Sequence, residues 1–296
     1  MRLSPRTFIL PLFAALSLFT MPARGSTPDC DRACLQGFIT QYLDAMLTHN
    51  PKTLLLSDNV RFTEDAAELK LGEGLWKNAS RIRGYRQDIL DVRLGVAASQ
   101  VVVEAGGIPA LFVLRLKVAG KKITEVETQV TRTQKEGALF AIDSLQTAGP
   151  VMSAAPERSE LMPRDEAIKV AMLYPAGLKI GSFVKVDAPF APDAYRIENG
   201  ARTAGAGCAR AGCENLRTQT IMEHPGITTR VAAVDEELGI VLLRMNFGQT
   251  KAYGEGNALI VWEAFKVYGG QIHGVEAFMK IMPVSVGSGG WDSRTN

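Results

Sequence analysis

The chain has 296 residues, with 33 Lys and Arg, 31 Asp and Glu, and three His. Three of the basic side chains and none of the acidic ones fall in residues 1–25, which leaves 30 against 31 in the remainder. A near-neutral chain without clustered Lys or Arg lacks the field that nucleic acid or an acidic membrane face requires, so neither is expected as a partner.

Arg2 and Arg6, the apolar run Phe8–Phe19 and then Ala23-Arg24-Gly25 follow the order of a secretory signal peptide. The run is shorter than the ~20 residues that span a bilayer. Residues 1–25 are therefore expected to be a removed leader rather than a stable membrane anchor, and the protein to be exported, periplasmic or extracellular. In such a compartment four cysteines favour disulfides. Cys208 and Cys213 would close a short Gly/Ala-rich loop. Cys30 and Cys34 suit a bridge only if Cys30 lies outside the following helix, because i,i+4 positions inside one are poorly spaced for it. Four cysteines allow three pairings, and the two local ones are expected. His49, His224 and His273 do not stand at ligand spacing from either pair, so no metal is expected.

Leu35, Phe38, Ile39, Tyr42, Leu43, Met46 and Leu47 form a helical apolar stripe ended by Asn50-Pro51. A short strand at Val60–Glu64 follows, then the turn Gly72-Glu73-Gly74 and the bulky Trp76. Arg81, Arg83 and Arg86 with Asp88 and Asp91 read as a solvated helix face. Val101–Val103, Leu111–Val118 and Ile123–Val130 are rich in β-branched and apolar residues and predict strands, the last two joined by a hairpin at Ala119–Lys122. Residues 147–163 have linker composition. A second helix is predicted from Pro163–Glu166, disturbed at Pro175, and a strand at Tyr195–Gly200.

Residues Lys117–Glu127 (KVAGKKITEVE) recur as Lys266–Glu276 (KVYGGQIHGVE), with six identities in eleven positions at a constant spacing of 149. This is an internal duplication. Pairing Glu64 with Glu198 gives a spacing of 134, so the second copy carries about 15 extra residues, for which the Cys208–Cys213 segment and the loop Gln249–Asn257 are the obvious places. Two domains are expected at 26–146 and 164–286, with 147–163 a linker and 287–296 a flexible tail.

One helix, a short strand and then long strands closing in a hairpin give an α+β pattern. With the helix at Phe38–Leu47, Val60–Glu64 and Tyr195–Gly200, and final strands through Glu127 and Glu276, the order resembles the nuclear-transport-factor-2-like or SnoaL-like family. That resemblance implies two cone-shaped domains, each a curved antiparallel sheet wrapped round N-terminal helices and enclosing a pocket. Cys30–Leu35 with Gly72–Trp76 also resembles an exported domain family of unknown function found in fungi and bacteria. The family's fold serves isomerases, dehydratases, lyases and non-catalytic binders alike, so it does not name a reaction.

The duplication allows one copy to be read against the other. One strand face is Phe112, Leu114, Leu116, Val118 in the first copy and Val261, Glu263, Phe265, Val267 in the second. A carboxylate in an apolar row is desolvated and its pKa rises toward the range useful for acid–base work. Glu263 is therefore the expected acid or base, His273 or Tyr195 a second proton-handling group, and Arg244 the charge partner. Glu198, Asn199, Trp262 and Trp76 are expected to edge or line a substrate pocket. Glu64/Glu198 and Glu127/Glu276 recur in both copies, which favours structural roles with Arg61 or Arg196 as a local partner, and His224 fits a turn. No nucleophile elbow, metalloprotease motif, P-loop or dinucleotide fingerprint is present. The expected function is an exported, cofactor-free enzyme on a small apolar or aromatic molecule, of isomerase, dehydratase or lyase type. A non-catalytic binding module is the alternative, and the sequence leaves oligomerisation open.

Overall fold

The structure, a computed structural model, describes Met1 and residues 29–291; the expected leader beyond Met1 and residues 292–296 lie outside them. Helix α1 (Arg32–Leu47) begins where the Asp31 carboxylate accepts the Cys34 amide at 2.9 Å. Cys30 thus precedes the helix and bonds Cys34 at a Cα separation of 5.3 Å, and Cys208 bonds Cys213 at 6.1 Å.

Six strands follow: β1 (Leu56–Glu64), β2 (Ala67–Glu68), β3 (Ala79–Asp91), β4 (Val96–Ala105), β5 (Ile108–Ala119) and β6 (Lys122–Thr131). After the short helices α2 (Gln134–Gly137) and α3 (Pro150–Ser153) comes the long α4 (Arg164–Lys179). It leads to β7 (Phe190–Glu198), β8 (Ala201–Ala204), β9 (Thr228–Asp235), β10 (Ile240–Gln249), β11 (Asn257–Tyr268) and β12 (Gln271–Pro283). The two sheets have one topology, β2-β1-β6-β5-β4-β3 and β8-β7-β12-β11-β10-β9. Each curls round its long helix as a cone. Neither is wholly antiparallel: β1 runs parallel to β6, and β7 to β12. The reason is a count of reversals, since β3 runs opposite to β1 and three hairpins then bring β6 back to the direction of β1.

Equivalent elements of the two similar sheets recur at three spacings, as a duplication requires. Leu56 and Phe190 open β1 and β7 at a spacing of 134, Val96 and Ile240 open β4 and β10 at 144, and the repeat stands at 149. The second copy therefore gains ten residues in the stretch holding Cys208–Cys213 and five in the loop between β10 and β11.

Each unit has its own apolar interior between sheet and helix, one around Leu35, Tyr42, Trp76 and Leu114, the other around Tyr174, Phe183, Val261 and Phe265. The outer faces of the two sheets pack together over Ile89, Val102, Val113, Leu242, Trp262 and Phe278. Exchanged aspartates fasten this junction. Asp91 accepts the Val234 amide at 2.9 Å and Asp235 accepts the Leu90 amide at 3.0 Å. Arg164, first in α4, pairs with Asp91 at 2.6 Å, and Arg32, first in α1, pairs with Asp235 at 2.7 Å. Each contact is matched by its copy, as across the two-fold axis of a dimer.

Three expectations are corrected here. Arg81–Asp91 lies in strand β3, where Tyr85, Gln87 and Ile89 are buried with period two and Asp91 is fully buried, so its charges are not one helix face. Pro175 sits inside α4, buried, and the helix continues past it. Residues 287–291 are docked: Gly287 and Gly290 carbonyls accept from Arg244 and Arg61 at 2.8 Å, and buried Trp291 donates to the Thr63 hydroxyl at 3.0 Å.

Candidate functional site

Glu263 lies on the helix-facing side of β11, opposite Leu243 of β10 and Ala277 of β12, and is 1% exposed. Its surroundings differ from those of Leu114 by a second exchange. Arg196 of β7 occupies the place of Phe62, 134 residues earlier. The Arg196 guanidinium donates to the Thr203 hydroxyl at 2.8 Å, the Tyr174 hydroxyl at 3.1 Å and Gln219 Oε1 at 3.2 Å, and pairs with Glu198 at 3.3 Å. Glu263 Oε2 has no hydrogen-bond partner. Burial, reinforced by the charge of Glu198, raises the Glu263 pKa from 4.5 to about 8 against the opposing pull of Arg196 and Tyr174. The carboxyl holds its proton at neutral pH.

In front of this cluster opens a cavity of about 730 Å³. Leu178, Ile221, Met222, Phe247, Leu259 and Met279 make it apolar, while Tyr174, Arg196, Glu198, His224 and Tyr253 supply polar groups. Much of one wall, from Ala209 to His224, comes from the segment enlarged in the second copy and tied by Cys208–Cys213. His224 Nε2 lies 2.8 Å from the Tyr253 hydroxyl, and the imidazole stacks on the Tyr253 ring and meets the edge of Phe247. Its Nδ1 makes no hydrogen bond of good geometry. Burial lowers the His224 pKa, only partly offset by the Met222 backbone and the charge of Glu198, which favours the neutral ring. A neutral imidazole beside a hydroxyl can accept or relay a proton.

The structure disperses several residues expected to work together. Arg244 does not meet Glu263: neighbours on a strand face opposite ways, so Leu243 stands opposite Glu263, while Arg244 stands opposite Trp262 and lies 3.5 Å from Glu127 in the junction. His273 sits at the tip of the β11–β12 hairpin, stacked on Tyr268 with ring centroids 3.5 Å apart, four residues along β12 from the Glu263 partner Ala277. Tyr195 faces away from its neighbour Arg196 and donates to Glu276 at 2.7 Å. Asn199 is fully buried at φ 47°; its amide donates to the carbonyls of Gly137, Leu139 and Met279 and accepts the Met279 amide at 2.7 Å. Trp262 belongs to the junction, and Trp76 fills the first interior, donating to the Tyr42 hydroxyl at 2.9 Å. Of the expected pocket residues, Glu198 lines the cavity, and Glu263 lies behind it. Tyr174 and Tyr253 carry no expectation from sequence, Arg196 is expected only as a local partner of the Glu64/Glu198 pair, as its contact with Glu198 bears out, and His224 only as a turn residue. The Phe62/Arg196 exchange was readable from the 134 spacing; His224 and Tyr253 stand in segments that are longer in the second copy, where residue pairing is ambiguous.

Residues 160–279, from just before α4 into β12, match the family described as a domain of unknown function (DUF8021). No curated protein matches the chain. Among solved structures it is similar to a de novo designed protein with a curved β-sheet, at 20% identity and a TM-score of 0.30, over 34% of this chain and 88% of that one. It is also similar to an NTF-2-like protein of unknown function from Burkholderia xenovorans LB400, at 10% identity and a TM-score of 0.25, over 33% of this chain and 84% of the other.

Proposed function

We propose that the protein is exported and that its second unit takes a small, largely apolar organic molecule into its cone and acts on it by proton transfer, as an isomerase, dehydratase or lyase. One observation carries the reading. The interior that the first copy fills with Phe62, Trp76 and Leu114 is, in the second, polarised by Arg196 and Glu263 and opened into a cavity of about 730 Å³. That volume and mixed lining suit a ligand of a few hundred daltons. His224 is the group placed to move a proton, with Tyr253 orienting it. Glu263 is a protonated, neutral carboxyl behind Arg196, and Arg196 supplies the positive charge at the cavity floor. The two disulfides support export, and no helix among the described residues is long and apolar enough to cross a membrane.

A binder without chemistry is the second reading, favoured by the position of Glu263 behind Tyr174 and Arg196 rather than in the cavity wall. Incubating a culture extract with the full chain, with Leu259→Trp and with His224→Gln separates the two. Native mass spectrometry reads retained compounds and metabolite profiling reads turnover. Leu259→Trp fills the cavity and is expected to retain nothing. His224→Gln is expected to retain the ligand while turnover falls by about 10²–10⁴. Turnover by His224→Gln equal to wild type removes the catalytic reading, and retention of the same compound by Leu259→Trp removes the cavity as the site.

A further inference from the structure

Glu127 and Glu276 are copies of one residue, 149 apart, and both are buried where the two sheets meet. Their surroundings differ in charge. Arg230 Nη2 lies 2.7 Å from each oxygen of Glu127, with Arg244 at 3.5 Å and Arg115 at 3.8 Å. Around Glu276 the equivalents of all three are uncharged, that of Arg115 being Ala264. Arg244 and Arg230 stand opposite one another on β10 and β9, and the matching pair on β4 and β3 is Gln100 and Gln87. Glu276 instead accepts the hydroxyl of Tyr85, from the first unit, and that of Tyr195, each at 2.7 Å. Among the described residues no Lys, Arg or His nitrogen forms an ion pair with it.

Two neutral donors use one acceptor site on each carboxylate oxygen and leave others open, and a buried charge without a counter-charge is costly. Beside Glu276, between the units, opens a crevice of about 420 Å³ whose walls include Tyr85, Tyr195, Leu145, Pro150 and Ile197. An anionic carboxylate, aromatic rings and an apolar wall are the surroundings that hold an organic cation. A cation is already drawn to the rim: the exposed Arg202 guanidinium lies 4.9 Å over the Tyr195 ring and makes no ion pair among the described residues.

We propose that this crevice binds a small organic ammonium ion, the ligand supplying at Glu276 the positive charge that Arg230 and Arg244 supply at Glu127. It is separate from the cavity of the second unit, which it meets only at Arg202. The test titrates benzylammonium into the full chain by calorimetry at neutral pH, with benzyl alcohol as its uncharged match. Benzylammonium is expected to bind, and the alcohol at least about tenfold more weakly. Glu276→Gln is expected to cost a similar factor. So is Gly149→Val: Gly149 has φ −63° and ψ 147°, open to any residue, and a Cβ there would stand 3.4 Å from Glu276 Oε1 and 3.7 Å from the Tyr195 hydroxyl. The larger side chain fills the crevice without removing a hydrogen bond. Arg202→Ala, which removes a competing cation, is expected to tighten binding severalfold.

Absence of benzylammonium binding, equal binding of amine and alcohol, or unchanged affinity in Glu276→Gln overturns the proposal. If Glu276→Gln fails to melt as a folded protein, Gly149→Val and Arg202→Ala decide, and unchanged affinity in both overturns it.

Discussion

The interiors of the two units share a frame and diverge at a few facing positions. Tyr42 and Tyr174 stand at equivalent places on α1 and α4, 132 residues apart. In the first unit Trp76 donates to the Tyr42 hydroxyl, and the Glu64 carboxylate accepts the Leu75 amide with both oxygens, at 3.2 and 2.9 Å, which fastens the Trp76 turn over the interior. In the second, the Tyr174 hydroxyl accepts from Arg196, and Glu198, the copy of Glu64, turns to Arg196 and the cavity. The buried acid of the second unit thus comes with Arg196 on β7, whose charge acts on it across β12, and with a longer wall loop. A polar core of this kind is a weak source of stability, and such departures from an apolar core concentrate at functional sites.

The comparison breaks most visibly if the first interior is given the acid alone. Leu114→Glu buries a carboxyl among Phe62, Leu116 and Trp76 with no base in reach, and is expected to cost about 5 kcal/mol in urea unfolding. Adding Phe62→Arg is expected to return part of that loss, as Arg196 does for Glu263. A cost below about 2 kcal/mol would mean that the first interior is not the sealed core described here.

The second interior sharpens the contrast through pH. Folded Glu263 titrates at about 8 against 4.5 when unperturbed, so between those values the folded chain keeps a proton that the unfolded chain has lost. Its contribution to stability is intact below about pH 4.5, declines as pH rises, and is gone above about pH 8, with a steepest slope of ~1.4 kcal/mol per pH unit. Urea stability of wild type and Glu263→Gln, compared from pH 5 to 8, should therefore diverge with rising pH in favour of the variant. Parallel curves would place the carboxyl in a wetter or better-paired setting than Arg196 and Tyr174 provide.

What the sequence disclosed follows from the same duplication. A repeat at constant spacing marks the closing hairpins, and an apolar row interrupted by one carboxylate marks Glu263, because both are local patterns. The partner of Glu263 was misassigned because it depends on register: Arg244 is on the adjacent strand, but one step out of phase, and it points into the junction. The charges of Arg81–Asp91 mimic helical spacing, whereas burial alternates with period two, and the Val234 amide and Arg164 at the junction explain why Asp91 is buried. His224 and Tyr253 were hidden for another reason. They lie in segments whose lengths differ between the copies, so comparison within the chain pairs them with no definite residue.

The smallest expected effects separate two residues that look interchangeable. Asp65 and Asn199 both follow the first strand of their unit, at φ 53° and 47°, and each accepts the amide of an equivalent residue, Val130 at 2.9 Å and Met279 at 2.7 Å. Their other atoms differ in task. Asn199 donates to three carbonyls in a fully buried site, and Asn199→Asp would set a carboxylate against them, at a cost of roughly 2–3 kcal/mol. Asp65 instead reaches the partly exposed Lys280 at 2.6 Å, and Asp65→Asn keeps the turn and the amide contact, so its cost should stay below ~1 kcal/mol. Guanidinium unfolding would compress that ion-pair difference by screening, so urea is the better denaturant. Equal costs for the two substitutions would show that the turn, rather than the amide of Asn199, holds the second unit closed at this corner.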